Sequence, residues 1–305
     1  MKAATLGATG RAPASTLRVV RRNAFCWDDA YPWLSTYGGG ERRRLSRLLL
    51  ESQDFMQGCE LSDPQEAYAA HKVQRDELGD LVFLFEVSVR HRPELLKYAV
   101  LLAAYVCRAD ADGEGRAISA AARLGATGAQ LRLLAGEFLL RTQQRAPAID
   151  LLQAALRGHE DRLLVLERLA WAHCHADDLA AAAEVTDAAT AEAGRLGRAL
   201  SWMGRAACCE VLLYRQRWAE ASDQLREAVL ERPTQAAAHL GLAIALGAQH
   251  LRDEAIEAAQ AALAHAPCSA LFCRRLVAVC RGLCAPHLLQ DVYRLALRAA
   301  PGDAE

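Results

Sequence analysis

Apolar and small residues along this chain recur with the spacing of amphipathic helices, and in the C-terminal two thirds they also recur at a longer, fixed interval. Three segments, 218–233, 252–267 and 286–301, each have a helical pattern that ends in a proline. These prolines stand 34 residues apart. A period in the mid-thirties that contains two helical segments is typical of arrays of helix-turn-helix repeats.

Alanine recurs at the same interval, at two positions seven residues apart in the second helix of a unit. Residues seven apart share one face of a helix, so the alanines predict where two helices cross closely. Carried toward the N-terminus, the interval predicts two further units at 129–162 and 163–196. The two series are Ala148, Ala182, Ala221, Ala255 and Ala155, Ala189, Ala228, Ala262, Ala296.

The interval is broken once. The step from Ala189 to Ala228 is 39 residues, so five extra residues lie near Gly194–Ser201. Gly194 and Gly197 predict a flexible turn there. We expect the segment after this insertion to bend relative to the units before it, and we expect a partner to bind at the bend.

These features resemble the tetratricopeptide repeat family. Gly136 lies where the first helix of that family favours glycine, the two alanine series match its small positions, and Pro233, Pro267 and Pro301 match its terminal proline. The resemblance covers about 129–301, which is five units, with 93–128 as a degenerate sixth. It implies an all-α fold, a right-handed α-solenoid whose first helices line a concave groove for a peptide or a partner's helix.

The N-terminal part of the chain has helical patterns without this interval. One helix is predicted over 41–58. Asp63 can cap a second helix and Pro64 can occupy its first turn, so we expect one long helix over 67–90.

A third helix is predicted after Pro93, over 94–108. The acidic stretch 109–115 is expected to be a solvated connection to a helix over 116–124. The predicted domains are a disordered basic tail and linker at 1–40, an N-terminal helical region at 41–128, and the repeat array at 129–305.

Composition agrees with an all-α protein, because alanine, leucine and arginine dominate and aromatic residues make up only 6%. The net charge of −1 hides an excess of six positive charges in residues 1–50. The acidic remainder disfavours a broad phosphate-binding face, so nucleic acid is not the expected main partner. The basic arm, with the cluster 42–47, can still contact an anionic surface.

No stretch approaches the roughly 18 apolar residues of a membrane span, and the longest apolar run, 98–107, has ten. The N-terminus lacks the apolar core of a secretory signal. Ten cysteines in a chain of this size therefore predict reduced thiols and a cytoplasmic location. Residues 1–27 contain no acid and suit either a disordered tail or a targeting or secretion signal.

Two groups of side chains raise the question of metal binding or catalysis. Cys273, Cys280 and Cys284 lie on one helical stripe, where three thiolates cannot converge tetrahedrally, and the register aligns Cys280 with leucines, so apolar packing is expected. The sequence His-Cys-His at 173–175 places its two imidazoles on different faces of a helix. We therefore expect no catalytic residue, no metal and no cofactor, and hence no enzyme.

Projection of the family's groove-facing positions onto this sequence predicts an acidic and aromatic surface toward the N-terminus and an apolar one toward the C-terminus. Such a groove suits a helix or extended segment that carries apolar anchors and some basic residues. Trp171 is expected to matter most. The predicted groove residues are Glu137, Arg141, Glu167, Trp171, His175, Glu210, Tyr214, Leu240 and Arg274.

The sequence thus predicts a non-enzymatic interaction protein that acts as a scaffold, adaptor or chaperone, with a bacterial secretion or assembly system as one setting. The alternative is a regulator whose basic N-terminal region binds nucleic acid while its repeats bind a protein partner. The oligomeric state is left open.

Overall fold

The computed structural model describes residues 38–57, 64–267 and 270–299. Most of the predicted tail, the capping Asp63 and the terminal Pro301 lie outside these ranges. The described residues form fifteen helices and no strand. The chain divides into two compact units, 1–87 and 88–305. The predicted domain boundary at residue 128 stays a prediction.

The first three helices among the described residues are α1 (Gly39–Gln57), α2 (Pro64–Gln74) and α3 (Leu78–His91). The predicted single helix over 67–90 is wrong, because it is interrupted at Arg75–Glu77, where Asp76 has a φ of 57°. The buried ammonium of Lys72 bonds to the carboxylates of Glu51 and Glu77 and so joins α1 to the start of α3. The apolar pattern continues on both sides of the break, which is why the sequence concealed it.

The second unit contains six antiparallel helix pairs. The first pair falls within the range 93–128, where a degenerate unit is predicted, and the other five fall within the predicted array 129–305, apart from Gly128 at their start. The division of the chain into these units stays a prediction. The pairs are α4 (Leu95–Cys107) with α5 (Ala111–Ala122), α6 (Gly128–Arg141) with α7 (Arg145–Leu156), α8 (Arg162–His175) with α9 (Leu179–Leu196), α10 (Trp202–Tyr214) with α11 (Trp218–Glu231), α12 (Ala236–Ala248) with α13 (Arg252–Ala264), and α14 (Ala270–Gly282) with α15 (Pro286–Ala299).

The acidic stretch 109–115 is mostly helix and not the connection that was predicted. The Asp110 side chain accepts a hydrogen bond from the Gly113 amide at 2.8 Å, so Asp110 is the N-cap of α5. Asp112 and Glu114 lie in the first turn, where negative charge is favourable beside the exposed amides. The acids that suggested a solvated loop therefore stabilise a helix start.

One turn geometry joins the two helices of every pair. The second residue after the first helix has a left-handed backbone, and the amide that follows bonds to the carbonyl five residues back, as from Arg217 to Leu212 at 2.9 Å. This is a Schellman turn, here formed without glycine. The left-handed residues in these turns follow the repeat interval: Ala109, Gln143, Asp177, Gln216, His250 and Cys284.

Small residues lie where paired helices cross. A Cβ atom added to Gly136 would lie 2.9 Å from Leu152 Cγ, which is too close for any side chain. Ala148, Ala155, Ala182, Ala189, Ala221, Ala255 and Ala262 are at most 2% exposed, and Ala228 and Ala296 are partly buried against the same core. The predicted crossing positions are confirmed.

Two of the three cysteines predicted to pack as apolar residues on one helical stripe do so, and the prediction is wrong for Cys284, which lies beyond the end of the helix. Cys273 and Cys280 are at most 2% exposed and lie in a core cluster with Leu276 and Leu246, whereas Cys284 is an exposed turn residue. The same core cluster contains residues of α12, so it packs α14 against α12.

The five inserted residues lengthen α9 to 18 residues. The predicted flexible turn at Gly194 is wrong, because Gly194 lies inside the helix. Gly197 ends the helix with a φ of 61°, and the Arg198 amide bonds back to the Ala193 carbonyl at 3.0 Å. Five residues of helix add about 7.5 Å, so the start of α10 is displaced relative to an uninterrupted array.

Candidate binding groove on the first helices

The first helices of successive pairs pack on one another in series, from α4 and α6 through to α12 and α14. Each second helix packs on the first helices beside it. The first helices therefore form one continuous layer of the array and the second helices form the other. The resemblance to the repeat family implies that the first layer lines the concave side. All nine predicted groove residues lie on or next to this layer.

An aromatic cluster lies where α8 meets α10. The rings of Trp171 and Trp202 are 5.7 Å apart and nearly perpendicular, and the ring of His175 lies 4.5 Å from Trp171. The guanidinium of Arg232 stands 4.8 Å above the Trp202 ring. Burial lowers the pKa of His175, with further lowering from the charges of Arg145 and Arg275, so His175 is neutral at pH 7.

The lengthened α9 and a buried carboxylate set the position of Trp202. Glu167, only 3% exposed, accepts a hydrogen bond from the Ser201 amide at 2.5 Å, at the N-cap of α10. Gly204 leaves room for it, because an added Cβ would lie 2.7 Å from Glu167 Oε1. Arg198 bonds to Asp161 at 3.1 Å and holds the link that precedes α10. Glu167 thus positions the aromatic cluster and does not face the open groove.

A cavity of about 690 Å³ adjoins this cluster and extends between α9, α10 and α11. Its walls include Trp171, Trp202 and Leu213. The buried Thr186 hydroxyl, also in the wall, has no hydrogen-bond partner among the described residues. A concave, largely apolar space with a few polar groups is the usual form of a ligand or side-chain pocket.

Two bidentate ion pairs border the cavity. Arg215 bonds to Asp187 at 2.9 and 2.6 Å, and Arg205 bonds to Glu231 at 2.6 and 2.5 Å. These bonds hold the pKa values of Asp187 and Glu231 below their usual values. The pairs tie α10 to the second helices on either side of it and keep the cavity walls in place.

The acids of the predicted groove have partners within the chain. Glu137 accepts a hydrogen bond from Arg168 at 2.6 Å, and Glu210 lies 3.6 Å from Arg275. With Glu167 bonded to Ser201, the groove presents less negative charge than the sequence suggests. Its apolar and aromatic side chains are therefore more prominent, relative to its charge, than the sequence suggests.

The remaining predicted residues are scattered. Tyr214 is half exposed, and Arg141 and Arg274 are exposed, whereas Leu240 is 4% exposed and belongs to the core. The structure places Trp171 against His175, and Trp171 lines the same cavity as Glu210. The structure adds Trp202, Arg232 and Arg275 to the candidate site. The repeat projection missed Trp202 because the insertion shifts it, and it missed Arg275 because this side chain reaches across the groove from α14.

The basic cluster at 42–47 is engaged within the first unit. Arg44 bonds to Asp80 at 2.6 Å and Arg47 bonds to the other oxygen of Asp80 at 3.0 Å. The guanidinium of Arg44 also stands 4.5 Å from the ring of Phe83. These contacts take up part of the charge that a phosphate backbone would need.

The thiols near the groove are buried in apolar surroundings. Burial raises the pKa values of Cys174 and Cys209 to about 12, so both are protonated at neutral pH and are poor nucleophiles or metal ligands. In the described ranges no three His, Cys, Asp or Glu side chains are grouped so as to hold a metal. Within the same ranges no helix is long and apolar enough to cross a bilayer.

Comparison with known proteins gives similarity in structure only. No protein-family model matches the chain, and no curated protein matches its sequence. A chain of the APC/C hetero-tetramer Cut9–Hcn1 is 16% identical with a TM-score of 0.50, over 91% of this chain and 57% of that one.

Two further solved structures are similar to a shorter part of the chain. TTC0263, a thermophilic TPR protein of Thermus thermophilus, is 20% identical with a TM-score of 0.45, over 57% of this chain and 93% of that one. YrrB, a TPR protein with an unusual peptide-binding site, is 16% identical with a TM-score of 0.40, and the match covers 60% of this chain and 92% of the YrrB chain.

The 34-residue register, the repeated Schellman turns and the small residues at the helix crossings agree with the overall likeness to the Cut9–Hcn1 chain. The chain is an all-α solenoid of tetratricopeptide-like helix-turn-helix repeats.

Proposed function

We propose that the chain is a non-enzymatic protein-interaction scaffold whose concave groove binds a helix or an extended segment of a partner protein. The observation that carries the proposal is the aromatic cluster of Trp171, His175 and Trp202 beside a cavity of about 690 Å³. Aromatic residues next to a preformed pocket are the usual anchors of such interfaces.

The proposal assigns the parts of the chain different roles. Residues 129–305 form the binding array, and residues 41–128 form a helical region that precedes it. Within this function the chain acts as an adaptor or chaperone in the cytoplasm, in a bacterial secretion or assembly system. The partner segment is expected to carry large apolar side chains that enter beside Trp171 and Trp202.

A peptide-display selection against the immobilised full chain tests this proposal. Selected peptides should share aromatic or aliphatic anchors, and Trp171→Ala should weaken their binding by at least about tenfold, or about 1.4 kcal/mol. The variant should keep its helical content and cooperative unfolding, because Trp171 is only partly buried.

Leu230→Ala provides the control. Leu230 is 82% exposed on α11 and lies outside the cavity wall, so its removal should leave peptide affinity unchanged. Equal losses for both variants, or unfolding of Trp171→Ala, would contradict the assignment of Trp171 to the binding surface.

A further inference from the structure

One ion pair crosses the concave groove. Arg275, on α14 in the last repeat, lies 3.6 Å from Glu210 on α10 and 3.8 Å from Asp177 in the turn between α8 and α9. The three residues belong to three different repeats. A side chain from the far end of the array thus occupies the surface that the aromatic cluster borders.

We propose that Glu210, Asp177 and Trp171 form a site for a basic side chain of the bound partner, and that Arg275 occupies this site as a stand-in when no partner is bound. The proposal rests on the proposed function, because it names a chemical feature of the segment that the groove binds. It assigns the segment a lysine or arginine next to its apolar anchor.

The state of Glu210 supports this assignment. The Glu210 side chain is 28% exposed, and its burial raises the pKa of the carboxyl. The positive charge of Arg275 lowers this pKa, and the negative charge of Asp177 raises it further. A desolvated carboxylate gains most from a cation at hydrogen-bond distance. The 3.6 Å separation between Arg275 and Glu210 is longer than such a bond, so Arg275 compensates the negative charge of Glu210 only in part.

The surroundings favour a cation over other groups. Trp171 and Glu210 both line the cavity. The proposed site places the charged group of the partner's side chain at Glu210 and its aliphatic stem along the aromatic and apolar wall. Arg145 is the nearby positive charge that works against it, through its effect on His175. The negative charges of Glu210 and Asp177 outweigh the positive charge of Arg145, so the site attracts a cation.

The internal pair is weak enough to be displaced. Arg275 is 40% exposed and Asp177 is 82% exposed, and pairs of such exposure contribute little to stability. A partner that supplies its own cation together with an apolar anchor replaces Arg275 without breaking a strong interaction. A partner must therefore displace Arg275 in order to bind, and a partner that carries a basic residue displaces it more readily.

The test uses the full chain, N-acetyl-arginine amide as probe, and N-acetyl-citrulline amide as its uncharged match. Binding is followed by the NMR signal of the Trp171 indole N–H, assigned with Trp171→Phe. Arg275→Gln should bind the arginine probe at least about fivefold more tightly than the wild type, in the millimolar range, and should not bind the citrulline probe.

Two further variants separate the site from a general effect on folding. Glu210→Gln and Asp177→Asn, each combined with Arg275→Gln, should weaken binding of the arginine probe; Asp177 is exposed and asparagine tolerates its left-handed backbone, so the second variant folds. Equal affinity of the wild type and Arg275→Gln for the arginine probe, absence of saturable binding, or equal binding of citrulline would overturn the proposal.

The outcome is independent of the test of the proposed function. If display-selected peptides bind through Trp171 but Arg275→Gln gains no affinity for the arginine probe, the groove binds segments and this site is refuted. If the arginine probe binds as expected but no peptide depends on Trp171, the cation site stands and the scaffold function fails.

Discussion

Gly204 and Glu167 show how closely two residues determine the start of α10. Glu167 is buried and bonds to the Ser201 amide, and Gly204 faces its carboxylate with no room for a side chain. Neither residue touches the open groove. Both decide where Trp202, the first residue of α10, meets Trp171.

We predict that Gly204→Ala destabilises the chain by about 1–3 kcal/mol, because the added methyl overlaps the Glu167 carboxylate. Gly194→Ala is the matched control. An added Cβ at Gly194 meets nothing within 4 Å and lies inside a helix, so this change should stabilise the chain by about 0.5–1 kcal/mol. Urea unfolding measures both, and equal effects would refute the close approach at Gly204.

Glu210 and Glu231 should give opposite pH dependences. Burial raises the pKa of Glu210 above 4.5, so the stability that its protonated form contributes is complete below that pH and is lost as pH rises through the folded pKa. The hydrogen bond from Arg205 lowers the pKa of Glu231, so the stability from its charged form is present above 4.5 and is lost as pH falls through the folded pKa.

As pH rises from about 3 to 7, the wild type should therefore lose stability relative to Glu210→Gln and gain it relative to Glu231→Gln. Chemical unfolding at a series of pH values measures both differences. Slopes of the same sign for the two variants would show that Glu210 is not desolvated as described.

At the scale of helices, the alanine series predicted the pairing better than any other feature. Ala262 is fully buried, and the close approach of α12 and α13 depends on its size. Ala262→Leu should cost about 1–3 kcal/mol by overpacking. Ala264→Leu, at an exposed position of the same helix, should be nearly neutral in the same melting experiment, and an equal loss at both positions would place the crossing elsewhere.

The sequence predicted the helix pairs because crossing helices need small residues at a fixed spacing, which the alanines display. It missed the break at Asp76, because a Schellman turn without glycine leaves no compositional signal. It also misjudged the insertion. Gly194 suggested a turn, whereas the helix continues past it to Gly197, where the left-handed conformation suits glycine.

The candidate site was predictable only where it follows the repeat. Trp171 and Glu210 were found by projection along the interval, because the array places equivalent residues on one face. Projection did not find Trp202, because its position depends on the length of α9. It did not find Arg275, because the Arg275 contact joins repeats that are far apart in sequence. Glu167 and Leu240 occupy groove positions by register but are buried in the structure.

For the second unit as a whole, the two layers of helices have different roles. The second helices carry the buried alanine series and brace the array, and the first helices present the aromatic cluster and the cross-groove pair. The insertion in α9 shapes both layers, because it moves the start of α10 beside Trp171. The proposed function therefore depends on the concave face as the surface where a partner segment lies.

Hydrogen exchange of the full chain with and without a display-selected peptide tests this claim most directly. We predict slower exchange in the first helices α8, α10 and α12, with little change in the second helices α7 and α13. Protection confined to the second helices, with α8 and α10 unchanged, would contradict it.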